Sequence, residues 1–153
     1  MAVGWTNRGK YLAIGWVFRG VALPTNFYVA LVTSAAAPGP TTNTLGQLTE
    51  IADGNGYDEG GYELTPGATD FDVINEDDSG HLAKIQIKDI VWTASGGTIP
   101  DSGNGARYAV LLDDNETPGS RQVIAYWDLV SDRSVSDGQT LTLQDCELRL
   151  TES

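Results

Sequence analysis

The stretch Leu23-Pro-Thr-Asn-Phe-Tyr-Val-Ala-Leu-Val-Thr-Ser34 indicates the fold of this chain most directly. In an extended strand Phe27, Val29 and Leu31 point to one face, and the residues between them, which are also apolar, point to the other. A strand that is apolar on both faces is typical of one buried on two sides. The run from Arg107 to Asp113 has the same pattern. These two strands therefore predict the centre of a covered sheet.

The composition indicates one folded domain spanning residues 1–153. Of the 153 residues 41% are hydrophobic, and 18 glycines and six prolines supply many turns. Short runs of strand-forming residues separated by such turns are typical of all-β domains. The sequence predicts a mainly β fold, either an antiparallel β-sandwich or a jelly-roll-like barrel, with an N-terminal helix and one short additional helix.

The N-terminal helix is predicted over about residues 6–19. Thr6 or Asn7 can cap its start, and Gly20 can end it. Gly9 and Gly15 weaken it by about 1 kcal/mol each relative to alanine, so packing must hold it, most simply across the 23–34 strand. The apolar face comprises Leu12, Trp16, Val17 and Phe18.

Three further segments complete the predicted fold. The spacing of Leu45, Leu48 and Ile51 predicts a short amphipathic helix over 44–52. Residues 82–89 alternate, with Ala83, Ile85 and Ile87 on the apolar face, and residues 90–92 are predicted to continue that strand. Residues 140–151 form the last strand. Its apolar positions change parity near Gln144, which predicts a bulge or a change of sheet there.

The charge of the chain excludes some partners. There are 21 acidic and nine basic residues, and the net charge is −12. Such a chain repels nucleic acid and anionic membranes, because phosphate binding depends on lysine and arginine. The sequence contains no run of about 18 apolar residues and begins without the pattern of a signal peptide. We therefore expect synthesis in a cytoplasm and no nucleic-acid or membrane partner.

The sequence carries no recognisable catalytic machinery. The one cysteine, Cys146, lies in a strand pattern typical of a buried structural thiol, and the one histidine, His81, follows a turn. A Gly-x-Ser-x-Gly elbow and a phosphate-binding loop are both missing. The chain is therefore predicted not to be an enzyme and to need no cofactor. A small hydrolase using Asp113 or Asp114 is the weaker alternative.

Acidic clusters are the candidates for metal ligands. One cluster comprises Asp70, Asp72, Glu76, Asp77 and Asp78, and the other comprises Asp113, Asp114 and Glu116. Calcium takes several such oxygens. Neither cluster has the glycine and final glutamate of an EF-hand loop at the required offsets. Solvated turns are therefore favoured over a metal site.

The tryptophans and the N-terminal charges suggest where the protein meets other chains. Trp92 and Trp127 lie in strand patterns and are predicted core residues, and Trp16 is predicted to anchor the helix to its own sheet. Trp5 precedes the helix, where a terminus is mobile unless tied down. Aromatic residues and arginine are enriched in interface cores. The predicted interface comprises Trp5, Arg8, Arg19 and the loop residues Pro38 and Pro40.

The sequence resembles small structural proteins of tailed bacteriophages. The motifs that carry this resemblance are Phe18-Arg-Gly20 followed by the 23–33 stretch, Asn43-Thr-Leu-Gly-Gln-Leu-Thr-Glu-Ile-Ala52 with Gly54-Asn-Gly-Tyr57, Ile90-Val-Trp-Thr-Ala-Ser95, Asn104-Gly-Ala-Arg-Tyr-Ala-Val110 and Val135-Ser-Asp-Gly-Gln-Thr-Leu-Thr-Leu143. Such proteins are virion structural or tail-fibre-like proteins, and the resemblance covers nearly the whole chain.

The resemblance implies a location in the virion and a non-enzymatic structural role. The leading expectation is a protein that decorates or cements the capsid through contacts with neighbouring subunits. The alternative is a tail or tail-fibre-associated module that binds a host-surface receptor or glycan. The expected partners are the major capsid protein or tail components. A homo-oligomer is expected, because virion parts follow the symmetry of the particle.

Overall fold

The computed structural model describes residues 3–152, which contain one α-helix and ten strands. The helix is α1 (Asn7–Phe18). The strands are β1 (Val3–Trp5), β2 (Phe27–Val32), β3 (Tyr62–Leu64), β4 (Val73–Asp77), β5 (Leu82–Ile87), β6 (Ile90–Thr93), β7 (Ala106–Leu112), β8 (Val123–Arg133), β9 (Thr140–Leu143) and β10 (Cys146–Thr151).

The strands form three antiparallel sheets. The largest sheet has the order β1-β8-β7-β2-β3, a second has the order β10-β5-β4, and β6 pairs with β9. The main core lies between the large sheet and the two smaller ones. The predicted mainly β, sandwich-like fold is confirmed.

The centre of the large sheet is buried on both faces, as the two-sided patterns predict. Val29 and Leu31 of β2 belong to the main core, together with Ala109 and Leu111 of β7. The opposite faces of the same two strands form a second, smaller core. Its buried members are Ala30, Val32, Leu45, Val110, Leu112 and Val123. The sheet is therefore an internal layer that the rest of the chain covers.

Helix α1 packs mainly against β8, whereas the sequence predicted packing across β2. The predicted cap is confirmed at Thr6, whose buried hydroxyl accepts the Gly9 N–H and donates to the carbonyl of Val123. The Thr6 N–H donates to the Ile124 carbonyl as well. These bonds tie the helix start to β8. Gly20 follows the helix with φ +65°, as expected of a helix-ending glycine.

The two helical glycines differ in what surrounds them, and this predicts opposite effects of substitution. A side-chain carbon at Gly9 would overlap the carbonyl of Ile124, whereas one at Gly15 would meet Val21 at 3.4 Å, an ordinary contact. Gly9→Ala is expected to destabilise the protein by about 1–3 kcal/mol, because the helix must move away from β8. Denaturant unfolding checks this value.

Gly15→Ala is the matched control. It is expected to stabilise the protein by up to about 1 kcal/mol through helix propensity alone. Equal effects of the two substitutions would contradict close packing of α1 on β8.

The segment predicted as a second helix is mostly extended. Only the 3₁₀ turn Leu45–Gln47 is helical, and the Gln47 side chain closes it by accepting the N–H of Thr44 at 3.1 Å. Beyond the turn, Ile51 donates to the Leu31 carbonyl and Glu50 bridges Val32. β3 does not cover the last residues of β2, whose backbone groups need hydrogen-bond partners. This requirement outweighs the helical spacing of Leu45, Leu48 and Ile51.

The predicted change of sheet near Gln144 is confirmed. β9 pairs with β6 and β10 pairs with β5, and Asp145 between them has φ +55°. A similar break separates β5 from β6, which were predicted to be one strand. There the Lys88 N–H donates to the carbonyl of Asp70 and interrupts the pairing. Ala83, predicted on the buried face of β5, is exposed.

Two indole groups attach β10 to the large sheet. Trp127 of β8 donates its Nε1–H to the Glu147 carbonyl at 3.0 Å, and Trp5 of β1 donates to the Arg149 carbonyl at 2.9 Å. The acceptors are two residues apart and so lie on the same side of β10. Two sheets that share no strand are thereby joined along one edge.

Candidate interaction surface

The outer side of α1 is an apolar surface open to solvent. Its members lie 50–78% exposed, although all are large and apolar. We call them the helix face: Tyr11, Ile14, Val17, Phe18, Val21 and Leu23. Four of the six, Tyr11, Ile14, Phe18 and Val21, line a groove of about 500 Å³ together with Leu12, Gly15 and Arg19. Exposed apolar surface of this extent is typical of an interaction site.

The sequence predicted only half of this arrangement. Leu12 and Trp16 pack on the main core as expected, but Val17 and Phe18 face solvent. Tyr11 and Ile14 lie on the same exposed side, opposite Leu12 and Trp16, so the helix is apolar around most of its circumference. A helix of that kind is normally buried on all sides. This all-round apolarity was the sequence signal for an uncovered face.

Positive charge surrounds the helix face. The first 49 residues contain Arg8, Lys10 and Arg19 and no aspartate or glutamate, so all 21 acidic residues lie from Glu50 onwards. Lys10 and Arg19 are exposed, and the Arg8 guanidinium lies 5.7 Å from the centre of the Tyr11 ring. The surface is therefore a basic, apolar region on a strongly acidic protein.

The predicted interface residues lie in different environments. Arg8 and Arg19 border the helix face at its two ends. Pro40 is exposed beside the helix start, where its carbonyl accepts the Asn7 N–H at 2.7 Å. Pro38 is buried within its own chain and offers little surface to a neighbour. Trp5 is not on a free terminus as expected, because it is half buried in β1 and bonded to β10. Its contact with another chain remains a prediction.

The other tryptophans lie where the sequence predicted. Trp92 and Trp127 are buried in the main core. Trp16 packs against the same core and meets the Phe27 ring edge-on, with centroids 6.0 Å apart. Its predicted role, anchoring α1 to the protein's own sheets, is confirmed.

Cys146 and His81 do not form a pair. Cys146 opposes Ile87 and Thr151 opposes Leu82, so Cys146 and His81 lie at opposite ends of the β5–β10 ladder, about 20 Å apart at 3.3 Å per residue. Burial raises the pKa of the Cys146 thiol to about 12, which keeps it protonated near neutral pH. The buried structural thiol is confirmed.

The second acidic cluster serves the loops around it. The Asp113 carboxylate accepts the backbone N–H and the side-chain amide of Gln122, and Asp114 accepts the Thr25 N–H at 2.7 Å. Glu116 is exposed. No three histidine, cysteine or carboxylate side chains in the described part of the chain converge closely enough to hold a metal ion.

Glu50 is a partly buried carboxylate that sequence reasoning did not single out. Its Oε1 accepts the Tyr57 hydroxyl at 2.7 Å and the Gly60 N–H at 2.8 Å, while the Tyr57 oxygen accepts the Leu31 N–H. Burial is the main cause that raises the pKa of Glu50. A raised pKa can mark a catalytic carboxylate. Here the bonds account for Glu50 as the residue that holds the 57–60 turn against β2.

In the first acidic cluster, Asp70 forms an ion pair and Asp77 closes a turn. Asp70 accepts Lys88 Nζ at 2.6 Å and the Thr65 N–H at 2.8 Å. These two interactions, the lysine first, lower the pKa of Asp70. Asp77 accepts the Gly80 N–H and the Ser79 hydroxyl in the β4–β5 turn.

Asp70→Asn is expected to lower Tm at pH 7 by about 2–4 °C, the shift that ~1 kcal/mol produces in a domain of this size. Because the pKa of Asp70 is lower in the folded state, its stabilisation is complete above its ordinary value of 3.8. It is lost as pH falls through the folded pKa. The difference in Tm between the two proteins should therefore shrink at acid pH. Thermal unfolding at pH 7, 4 and 2 measures it, with Asp72→Asn at an exposed site as the control.

Comparison with known proteins does not assign a family or a function to this chain. No family model, curated protein or solved structure matches the chain. Across residues 3–152, no helix has both the length and the apolar character needed to cross a membrane.

Proposed function

We propose that this protein is a non-enzymatic structural component of a tailed-phage virion. In this proposal it decorates or cements the capsid, and the helix face is the surface that contacts neighbouring subunits. The single observation that carries the proposal is the helix face itself. Four large apolar side chains on α1 and two in the segment after it are left in solvent, while Leu12 and Trp16 anchor the other side of the helix. Burying such a surface against a neighbour is favourable by about 25 cal/mol for each Å² removed from water.

Two further observations support a structural role. The sequence resembles phage virion proteins over nearly its whole length. In addition, the single cysteine and histidine are far apart, and the carboxylates of Glu50, Asp70 and Asp113 are engaged in turns and ion pairs. These groups hold the fold, and the exposed side chains of the helix face are separate from them.

The distribution of aromatic residues favours this proposal over a tail module that binds a receptor or glycan. A sugar site would use exposed tryptophan or tyrosine beside acidic turns. Trp92 and Trp127 are core residues, and the most exposed aromatic residues, Tyr11 and Phe18, lie among basic side chains. That environment fits a protein neighbour of acidic surface better than a neutral sugar.

Copy number in purified particles tests the proposed function. Quantitative mass spectrometry is expected to find the chain at tens to hundreds of copies per particle, in fixed ratio to the major capsid protein. Its absence from particles would overturn the virion assignment, and a copy number of a few would overturn the capsid assignment.

Add-back to particles that lack the protein tests the surface. Wild-type protein is expected to bind, and a Val17→Gln, Phe18→Gln variant is expected to bind at least tenfold more weakly. Val91→Gln, at an exposed valine on β6, is the matched control and should bind as the wild type does. Equal binding by all three proteins would exclude the helix face as the contact surface.

A further inference from the structure

A second exposed surface has the opposite charge to the helix face. It is an open groove of about 650 Å³ formed by the β4–β5 hairpin and the end of β10. Its floor is apolar, because Ile74 and Leu150 are 82% and 61% exposed. Acidic residues surround the floor: Glu76, Asp77, Asp78 and Glu152. His81 also lines the groove, and its Nδ1 lies 3.0 Å from Glu152 Oε2. We call this surface the acidic groove.

From these two surfaces we infer that the helix face of one copy of this chain docks into the acidic groove of a second copy. The inference rests on the proposed function, since it names the neighbour that covers the helix face. Each surface combines exposed apolar side chains with one sign of charge, and the two signs are opposite. Complementary charge of this kind steers association and fixes orientation.

The dimensions of the two surfaces agree. A helix of 12 residues is about 18 Å long at 1.5 Å per residue. The five residues of β4 and the six of β5 span about 17 and 20 Å at 3.3 Å per residue. The helix therefore matches the length of the hairpin. The acidic side chains of the groove lie together at the turn end of the hairpin, so one basic end of the helix lies against them.

The opposite charges also disfavour pairing of like surfaces. Two helix faces would bring Arg8, Lys10 and Arg19 of both copies together, and two acidic grooves would bring carboxylates together. Like charges opposed at an interface cost several kcal/mol. A contact between two different surfaces repeats from copy to copy and gives a closed pair or ring, or an open filament where the rotation does not close.

Light scattering of the purified full chain tests the inference. At 50 mM salt the protein is expected to have a mass that is a multiple of 16.3 kDa, and the assembly is expected to weaken at least tenfold by 500 mM salt. A monomer at 100 µM protein and 50 mM salt would overturn the inference.

Charge reversal identifies the two surfaces. Lys10→Glu with Arg19→Glu changes only the helix side, and Glu76→Lys with Asp78→Lys changes only the groove. All four side chains are exposed, and Asp77 is left intact because it closes the turn. Each variant alone is expected to be monomeric. An equimolar mixture is expected to associate, because each protein supplies the surface that the other has lost.

The control is Glu116→Lys with Asp132→Lys. It changes the net charge by as much as the groove variant does, at exposed sites outside both surfaces, and should assemble as the wild type does. Failure of the mixture to associate would overturn the inference, as would assembly of either variant alone. A monomeric protein whose binding to particles still depends on Val17 and Phe18 would leave the proposed function standing without this contact. An oligomer that is absent from particles would support this contact and overturn the proposed function.

Discussion

Trp127→Ala is expected to lower the free energy of unfolding by about 3–5 kcal/mol, enough to unfold much of the protein at 37 °C. Trp127 is among the largest fully buried side chains and lies in the main core. Its truncation leaves a cavity between the sheets and removes the donor to the Glu147 carbonyl. Denaturant unfolding followed by far-UV circular dichroism measures the loss.

Trp127→Phe separates the two contributions. It keeps a six-membered ring but loses the indole N–H and the rest of the five-membered ring, so we expect a loss of about 1–3 kcal/mol from the unpaired, partly buried carbonyl and the smaller cavity. Trp5→Phe is the matched control, because its bond to Arg149 lies where water can replace it. A loss from Trp5→Phe as large as that from Trp127→Phe would contradict this difference. Trp5→Ala is expected to destabilise the monomer, because the indole lies half buried in β1 and bonds to β10.

Arg121→Met is expected to cost about 3 kcal/mol, because Arg121 is a buried cation that joins three segments. Its Nη1 donates to the Gly60 carbonyl at 2.8 Å and its Nε donates to the Asn115 carbonyl at 3.0 Å. The guanidinium lies 3.5 Å from the centre of the Tyr28 ring. Hydrogen bonds from a charged donor contribute about 1.5–3 kcal/mol each, and a desolvated cation over a ring adds ~2. These values are not additive.

Arg121→Lys tests whether geometry or charge is responsible. Lysine keeps the charge, but its ammonium group is not planar. It cannot stack on the Tyr28 ring and donate to both carbonyls as the guanidinium does. We therefore expect it to lose at least half as much stability as Arg121→Met, measured by the same unfolding experiment. Arg149→Met, at an exposed arginine on β10, is the control and should change stability by less than about 1 kcal/mol. A fully stable lysine variant would show that charge alone suffices.

The core of the fold could be predicted because its signals are local. The two-sided apolar patterns of β2 and β7 have one physical reading, and both strands are indeed buried on two faces. The change in parity of the apolar positions near Gln144 is also a local signal, because the chain must bulge or change sheet at that point. It marks the change from β9 to β10.

The features that could not be predicted depend on distant partners. Three-residue spacing of Leu45, Leu48 and Ile51 suits a helix, but Ile51 is extended because its N–H is needed by Leu31 of β2. The role of Arg121 depends on Gly60 and Tyr28, which are far from it in sequence. The exposure of Tyr11 and Ile14 follows from which side of α1 meets β8, and periodicity does not determine this in a helix that is apolar all round.

The attachment of the N-terminal segment to β8 also determines when that segment can fold during synthesis. Thr6 and its acceptor Ile124 are 118 residues apart in the chain. At about 5–20 residues per second, a ribosome needs roughly 6–24 s to make the intervening chain. Until β8 emerges, α1 has no surface to pack on, and both of its apolar sides are open to chaperones or to neighbouring nascent chains. Contacts so distant in sequence also slow folding. The N-terminal segment is thus made well before the strand on which it docks.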